Sequence, residues 1–176
     1  RAVEALGREF GTWGEIRLGH RRESGSAELI IGPPAPDIDV DLGDVFLRLS
    51  SDKLDNVNFP RAGHLANVEY RVGRDGLGAS TDYDQAILNY VHAFTWGRNT
   101  LAGWVRGFST LEGTAPLGAR ARLGGFLRLS GLQEDQLSGQ HAGLITLAYY
   151  RRIADIQFFR TYLGATLELG NVWQDS

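Results

Sequence analysis

The chain has 176 residues and a formal net charge of -3, enough for one sizeable folded unit and without the basic field that nucleic-acid binding requires. It contains no cysteine, which excludes disulfide frameworks, thiol catalysis and Cys-based zinc sites, and no methionine, so Arg1 is not an initiator and the chain reads as a processed product or an excised piece. No run approaches the roughly 20 apolar residues of a membrane-spanning helix, and Glu4, Arg8, Glu15 and Arg17 interrupt any signal-peptide core over residues 1–20.

Alternation is the dominant pattern, because side chains on a strand point to opposite faces in turn. Strands are predicted over about 11–22, 26–32, 40–53, 63–74, 83–96, 100–111, 140–152 and 158–172, about eight in all. In the first, Gly14, Ile16 and Leu18 oppose Trp13, Glu15, Arg17 and Gly19. In the third, Val45, Leu47 and Leu49 oppose Asp44, Phe46, Arg48 and Ser50. Over 64–73, His64, Ala66, Val68, Tyr70 and Val72 oppose Leu65, Asn67, Glu69, Arg71 and Gly73. Ala86, Leu88, Tyr90, Phe94 and Trp96 share one face of 83–96, with His92 as a polar exception. Segments 100–111 and 140–152 are apolar on both faces, so periodicity leaves their sides open. In the last strand, Leu163, Ala165 and Leu167 oppose Arg160, Tyr162, Gly164, Thr166 and Glu168.

Turn chemistry separates these runs: 23–26, 32–37, 55–60, 73–80, 97–99 and 152–155 read as turns or loops. A longer Gly-rich stretch, 112–139, has no sustained period. Trp13, Phe59, Trp96, Phe158, Phe159 and Trp173 fall near strand ends, as interfacial aromatics of a membrane barrel do. Periodicity alone equally describes a soluble all-β binding domain that uses Gly-rich loops.

Three motifs go further. Residues 52–63 read D-K-L-D-N-V-N-F-P-R-A-G, with Asp52, Asp55, Asn56, Phe59, Pro60 and Gly63 at the informative positions. Asp and Asn can cap their own backbone, Pro60 stops a strand, and Gly63 permits tight re-entry. Residues 164–173 read G-A-T-L-E-L-G-N-V-W, and 123–131 read L-G-G-F-L-R-L-S-G. In order and spacing these resemble the periplasmic turn, a late strand and the loop that folds back into the lumen in bacterial surface antigen outer-membrane β-barrels. That superfamily includes outer-membrane assembly factors and two-partner secretion transporters. The likeness is greatest to the barrel that follows a patatin-like phospholipase domain.

The resemblance implies an all-β fold: an antiparallel transmembrane β-barrel segment, eight strands of a barrel with about sixteen. It implies the outer membrane of a Gram-negative bacterium, contact with lipid, and a client polypeptide or fused periplasmic domain as partner. It also implies that 55–62 and the turns at 23–26, 97–99 and 152–156 are periplasmic, with loops 33–39, 74–82 and 112–139 extracellular. Glu69, Arg71, Arg160 and Glu168 would line the lumen, and Phe59 would sit at the lipid–water interface. The family's lumenal loop carries a V-R-G-F/Y tetrad whose Arg reaches an acidic late-strand residue. Here Gly124 fills that Arg position, beside Gly125 and Phe126, so Arg122 or Arg128 is expected to pair with Glu168 instead. Val105-Arg106-Gly107-Phe108 spells the tetrad but falls in a predicted strand, which makes it coincidental.

No catalytic role is expected. The chain has no G-x-S-x-G elbow, so Asp75-Gly76 is a turn rather than part of a patatin site. His20, His64, His92 and His141 lack metal-ligand spacing, and Gly73 to Gly78 is not followed by the Lys-Ser/Thr of a phosphate loop. No cofactor is expected.

Overall fold

The computed structural model describes residues 2–27, 38–156 and 159–174. Ten strands account for most of these residues: β1 Ala2–Glu9, β2 Glu15–Ala27, β3 Ile38–Asp52, β4 Gly63–Gly73, β5 Tyr83–Trp96, β6 Asn99–Gly113, β7 Ala121–Leu123, β8 Leu137–Gly139, β9 His141–Ile156 and β10 Phe159–Trp173. Eight form one antiparallel sheet in the order β1-β2-β3-β4-β5-β6-β9-β10, and β7 and β8 make a small hairpin of their own within the long loop. Each strand pairs with the next along the chain, so the sheet is a meander. It is open among the described residues, with β1 and β10 at its two edges.

Register turns the alternation of single strands into continuous rows. One row runs Ser51, Ala66, Tyr90, Val105, Ile145, Leu169, and the next His64, His92, Gly103, Leu147, Leu167. Both lie on a bare face where large apolar side chains stay in the open; Leu163 and Leu167 are each 68% exposed. On this face no Asp, Glu, Lys or Arg falls along Val45–Ser51, His64–Val72, Ala86–Trp96, Asn99–Ser109, His141–Tyr149 or Leu163–Trp173. A monomer in water rarely leaves so wide an apolar surface unpaired. The opposite face carries Arg17, Arg48 and Glu69 in one row, and Glu69 is only 4% exposed.

Two small cores cover that second face, one at each end of the strands. Ala93, Ala102, Ala148 and Tyr150 pack with Leu54, Trp104 and Tyr162 under the β3–β4 connection. Leu42, Ala79, Tyr83, Ala115 and Ala119 pack at the other end, under the β4–β5 loop and the root of the long loop.

Four expectations change. The predicted turn at 23–26 is absent, because β2 runs through it, pairing Glu23 with Leu42 and Ser24 with Asp41. Gly25 takes no left-handed conformation, so the Ser-Gly-Ser run stays extended. Segment 26–32 is therefore no separate strand as far as Ala27, and 28–32 with Gly32-Pro33-Pro34 lies outside the described residues. The first hairpin is instead β1 with β2, closed at Phe10–Gly14, where Trp13 N–H donates to Phe10 O at 3.0 Å. Strand β1 has charges on its bare face, Glu4 and Arg8, which hide its period. The expected turn at 152–155 is also strand: β9 reaches Ile156, and a register shift opposite Thr161 and Tyr162 absorbs Ile153.

Candidate functional site

The β3–β4 connection is a self-capped turn docked onto the covered face. Asp52 Oδ1 accepts Leu54 N–H at 3.1 Å. Asn56 Oδ1 accepts Asn58 and Phe59 N–H at 2.8 and 3.0 Å. Asp55 Oδ1 accepts Arg61 and Ala62 N–H at 2.7 and 3.1 Å, and Asp55 N–H donates to Ala62 O at 3.1 Å. These acceptors satisfy the backbone donors of a segment too irregular to pair in a sheet. Pro60 is fully buried, its carbonyl accepting from the Tyr150 hydroxyl, while Thr95 Oγ1 donates to Arg61 O at 2.6 Å.

Phe59 is placed differently from expectation. Its ring stacks on Tyr162 at 5.6 Å and meets the edge of Tyr150 at 6.1 Å. Both tyrosines belong to the covered-face core, so Phe59 sits with that face and not with the bare-face aromatics Phe94, Trp96 and Tyr149. The docking residues Thr95, Tyr150 and Tyr162 escape sequence reasoning, since a contact between residues 60 and 150 has no local signal.

The Asp55 carboxylate faces two opposing effects. Partial desolvation raises its pKa, but the N–H groups of Arg61 and Ala62 outweigh this and hold it below the ordinary 3.8. A depressed carboxylate stabilises the turn above its unfolded-state pKa, and that contribution disappears as pH falls through the lower folded value. Carboxyl NMR titration should therefore place Asp55 below 3.8. Asp55→Asn should flatten the acid side of the thermal-stability profile, and an unchanged acid limb would contradict the capping role.

A polar network crosses β2 to β5 on the covered face. Arg48 and Arg71 both donate to Glu69, and Arg21 donates to Asp44, which also accepts from the Tyr83 hydroxyl at 2.8 Å. Glu69 and Arg71 thus line this face as their alternation predicts. Arg160 is described in its backbone alone, paired with Asp155, and its side chain lies outside the described residues.

The long loop spans 114–140 and turns back along the covered face. Its root is clamped by Gln140, whose side-chain amide accepts from Ala115 N–H at 3.0 Å and donates to Ala115 O at 3.1 Å. Gln85, fully buried, donates to Ala119 O at 2.9 Å. The loop tip reaches Thr146, whose hydroxyl donates to Leu127 O at 3.2 Å, and Glu168, the β10 residue paired with Thr146. Glu168 lies five residues from the end of β10 at Trp173, roughly 17 Å along the strand.

Glu168 does hold the loop, but not through a guanidinium. Its Oε2 accepts Leu129 and Ser130 N–H at 2.7 and 2.6 Å, and its Oε1 accepts the Ser130 hydroxyl at 2.7 Å. Arg128 instead donates to Arg122 O at 2.6 Å and pairs with Asp135 at 3.3 Å, while Arg122 donates to Leu117 O at 3.4 Å. The cause is the tip's backbone. Gly124 N–H donates to Arg128 O, Arg128 N–H donates to Gly125 O, and Leu127 and Leu129 have positive φ of 57° and 77°. This winding aims consecutive N–H groups at one carboxylate, an anion-binding nest in place of an Arg fork. Phe126 is left 83% exposed. Arg106 lies in β6, so Val105–Phe108 is a strand segment as expected.

Glu168→Gln keeps the shape but removes the charge from three hydrogen bonds. Charge-assisted bonds are worth about 1.5–3 kcal/mol each in the strongest cases, so the loop tip should loosen and tryptic cleavage after Arg128 should accelerate at least several-fold. Unchanged cleavage would show that the loop is held elsewhere.

Among the described residues, no group of three or more His, Asp or Glu side chains is placed to hold a metal ion, and no helix is long and apolar enough to cross a membrane. No protein-family model and no curated protein matches this chain.

Proposed function

We propose that this chain is a membrane-embedded part of an outer-membrane β-barrel of the bacterial surface antigen type. The observation that carries the reading is the bare face, apolar and free of ionic side chains across the middle of β3 to β10, set back to back with a charged, hydrogen-bonded covered face. A strand that faces lipid on one side and a wet interior on the other needs that division. The bare face then dissolves in hydrocarbon, and the loop at 114–140 occupies the lumen, pinned at Glu168. The open edges at β1 and β10 pair with further strands to complete a barrel of about sixteen, since an unpaired edge is unfavourable in lipid. The docked turn at 53–62 closes the covered face at the periplasmic end. The parent protein, on this reading, assembles or exports polypeptides at the outer membrane or anchors a periplasmic patatin-like domain.

Fractionation tests it. The full-length protein, expressed in a Gram-negative host, should stay in the outer membrane through urea extraction and run faster on a gel unheated than boiled. Recovery in the periplasm without detergent, with no heat-dependent mobility, would instead support a soluble all-β binding domain.

A further inference from the structure

A cleft of about 610 Å³ lies between the long loop and the covered face of β5, β6 and β9, within the size range of small-ligand sites. Four arginines line it, Arg106, Arg120, Arg122 and Arg128, against one carboxylate, Asp135. Arg128 is the one that Asp135 neutralises. Arg120 and Arg122 donate to the carbonyls of Ala115 and Leu117, which satisfy hydrogen bonds but cancel no charge. Arg106 is half-buried, and the charge that bears on it is another guanidinium, that of Arg128, which repels it. Three positive charges thus line one cleft, those of Arg106 and Arg120 partly buried and that of Arg122 exposed, and among the described residues no carboxylate forms an ion pair with any of them. Such an arrangement is costly unless a counter-charge enters.

We propose that this cleft binds a phosphate-class oxyanion, with Arg106, Arg120 and Arg122 as its ligands. Guanidinium forks match the tetrahedral oxygens of phosphate in paired hydrogen bonds. A phosphate or diphosphate also carries the multiple charge that a single carboxylate lacks. The source is either a free phosphate compound or the phosphate headgroup of a lipid reaching past the loop. The site is independent of the membrane reading, because its walls are the loop and the polar face.

Titration calorimetry on the full-length protein in non-ionic detergent and phosphate-free buffer tests this. Sodium pyrophosphate probes the free source and dihexanoyl phosphatidic acid the lipid source; acetate is the carboxylate comparison. One phosphate probe should bind with a single site, weaken as salt rises, and bind at least ten-fold more weakly to Arg106→Gln and to Arg122→Gln. The tighter probe identifies the source. Arg151→Gln, on the bare face outside the cleft, should bind as the parent does, and circular dichroism melts should report that each variant is folded. Binding no tighter than acetate, or equal in Arg106→Gln, Arg122→Gln and Arg151→Gln, would overturn the assignment.

Discussion

Leu167→Arg should sharply reduce the amount of folded, heat-modifiable protein in the outer membrane, whereas Thr166→Arg should leave most of it. The two positions are adjacent on β10 but point to opposite faces. Leu167 continues the bare row through Leu147 and Gly103, and Thr166 pairs with Ala148 on the covered face. A cation facing lipid near mid-bilayer costs ~2–4 kcal/mol, while one in a wet interior costs far less. Equal recovery of both variants, measured by unheated gel mobility of membrane fractions, would reject the facing assignment.

Gly63→Ala should be among the most damaging single-methyl changes in the chain. Gly63 has φ of 96°, and a Cβ built there would lie 1.9 Å from the Lys53 carbonyl oxygen. The obstruction is backbone of the same turn, held by Lys53 N–H donating to His64 O at 2.7 Å, so it cannot swing aside as a side chain would. Strain of order 1–3 kcal/mol adds to the displacement of a docked turn, and a total near ~3 kcal/mol is expected. Gly97→Ala is the control. It also has positive φ, 60°, but nothing lies within 4 Å of the added methyl. It should cost only about 1–2 kcal/mol. Urea midpoints in detergent should rank the parent above Gly97→Ala and Gly97→Ala above Gly63→Ala; similar midpoints for the two variants would mean that the turn yields.

What could be read from the residues follows from how locally each feature is encoded. Strand β4 was legible because its covered face bears Asn67, Glu69 and Arg71, so polarity marks the side. Strands β6 and β9 were legible as strands but their sides were not, because covered positions such as Ala102, Trp104, Leu144, Ala148 and Tyr150 are themselves apolar. The docked turn and the loop demand that, and both partners come from elsewhere in the chain. The β3–β4 turn was legible down to its capping side chains, since an Asx acceptor reaches a donor two to seven residues on. The site of the turn's docking was not. Glu168 as the holder of the loop was legible through the motif resemblance. Its partner was not, because the contact falls on the backbone N–H groups of Leu129 and Ser130, which carry no signature in residue type. The continuation of β2 through 23–26 shows the converse: turn-forming residues stay extended where a neighbouring strand supplies their pairing.

The membrane reading is tested most directly by measuring what surrounds alternate residues of β9. The chain has no cysteine, so Ile145→Cys, Leu147→Cys and Tyr149→Cys can each carry a single spin label without background. In lipid bilayers, molecular oxygen should relax these labels more strongly than a water-soluble nickel chelate. A label at Thr166→Cys on the covered face should show the reverse preference. Greater access of nickel than of oxygen at all three bare-face sites would contradict the account.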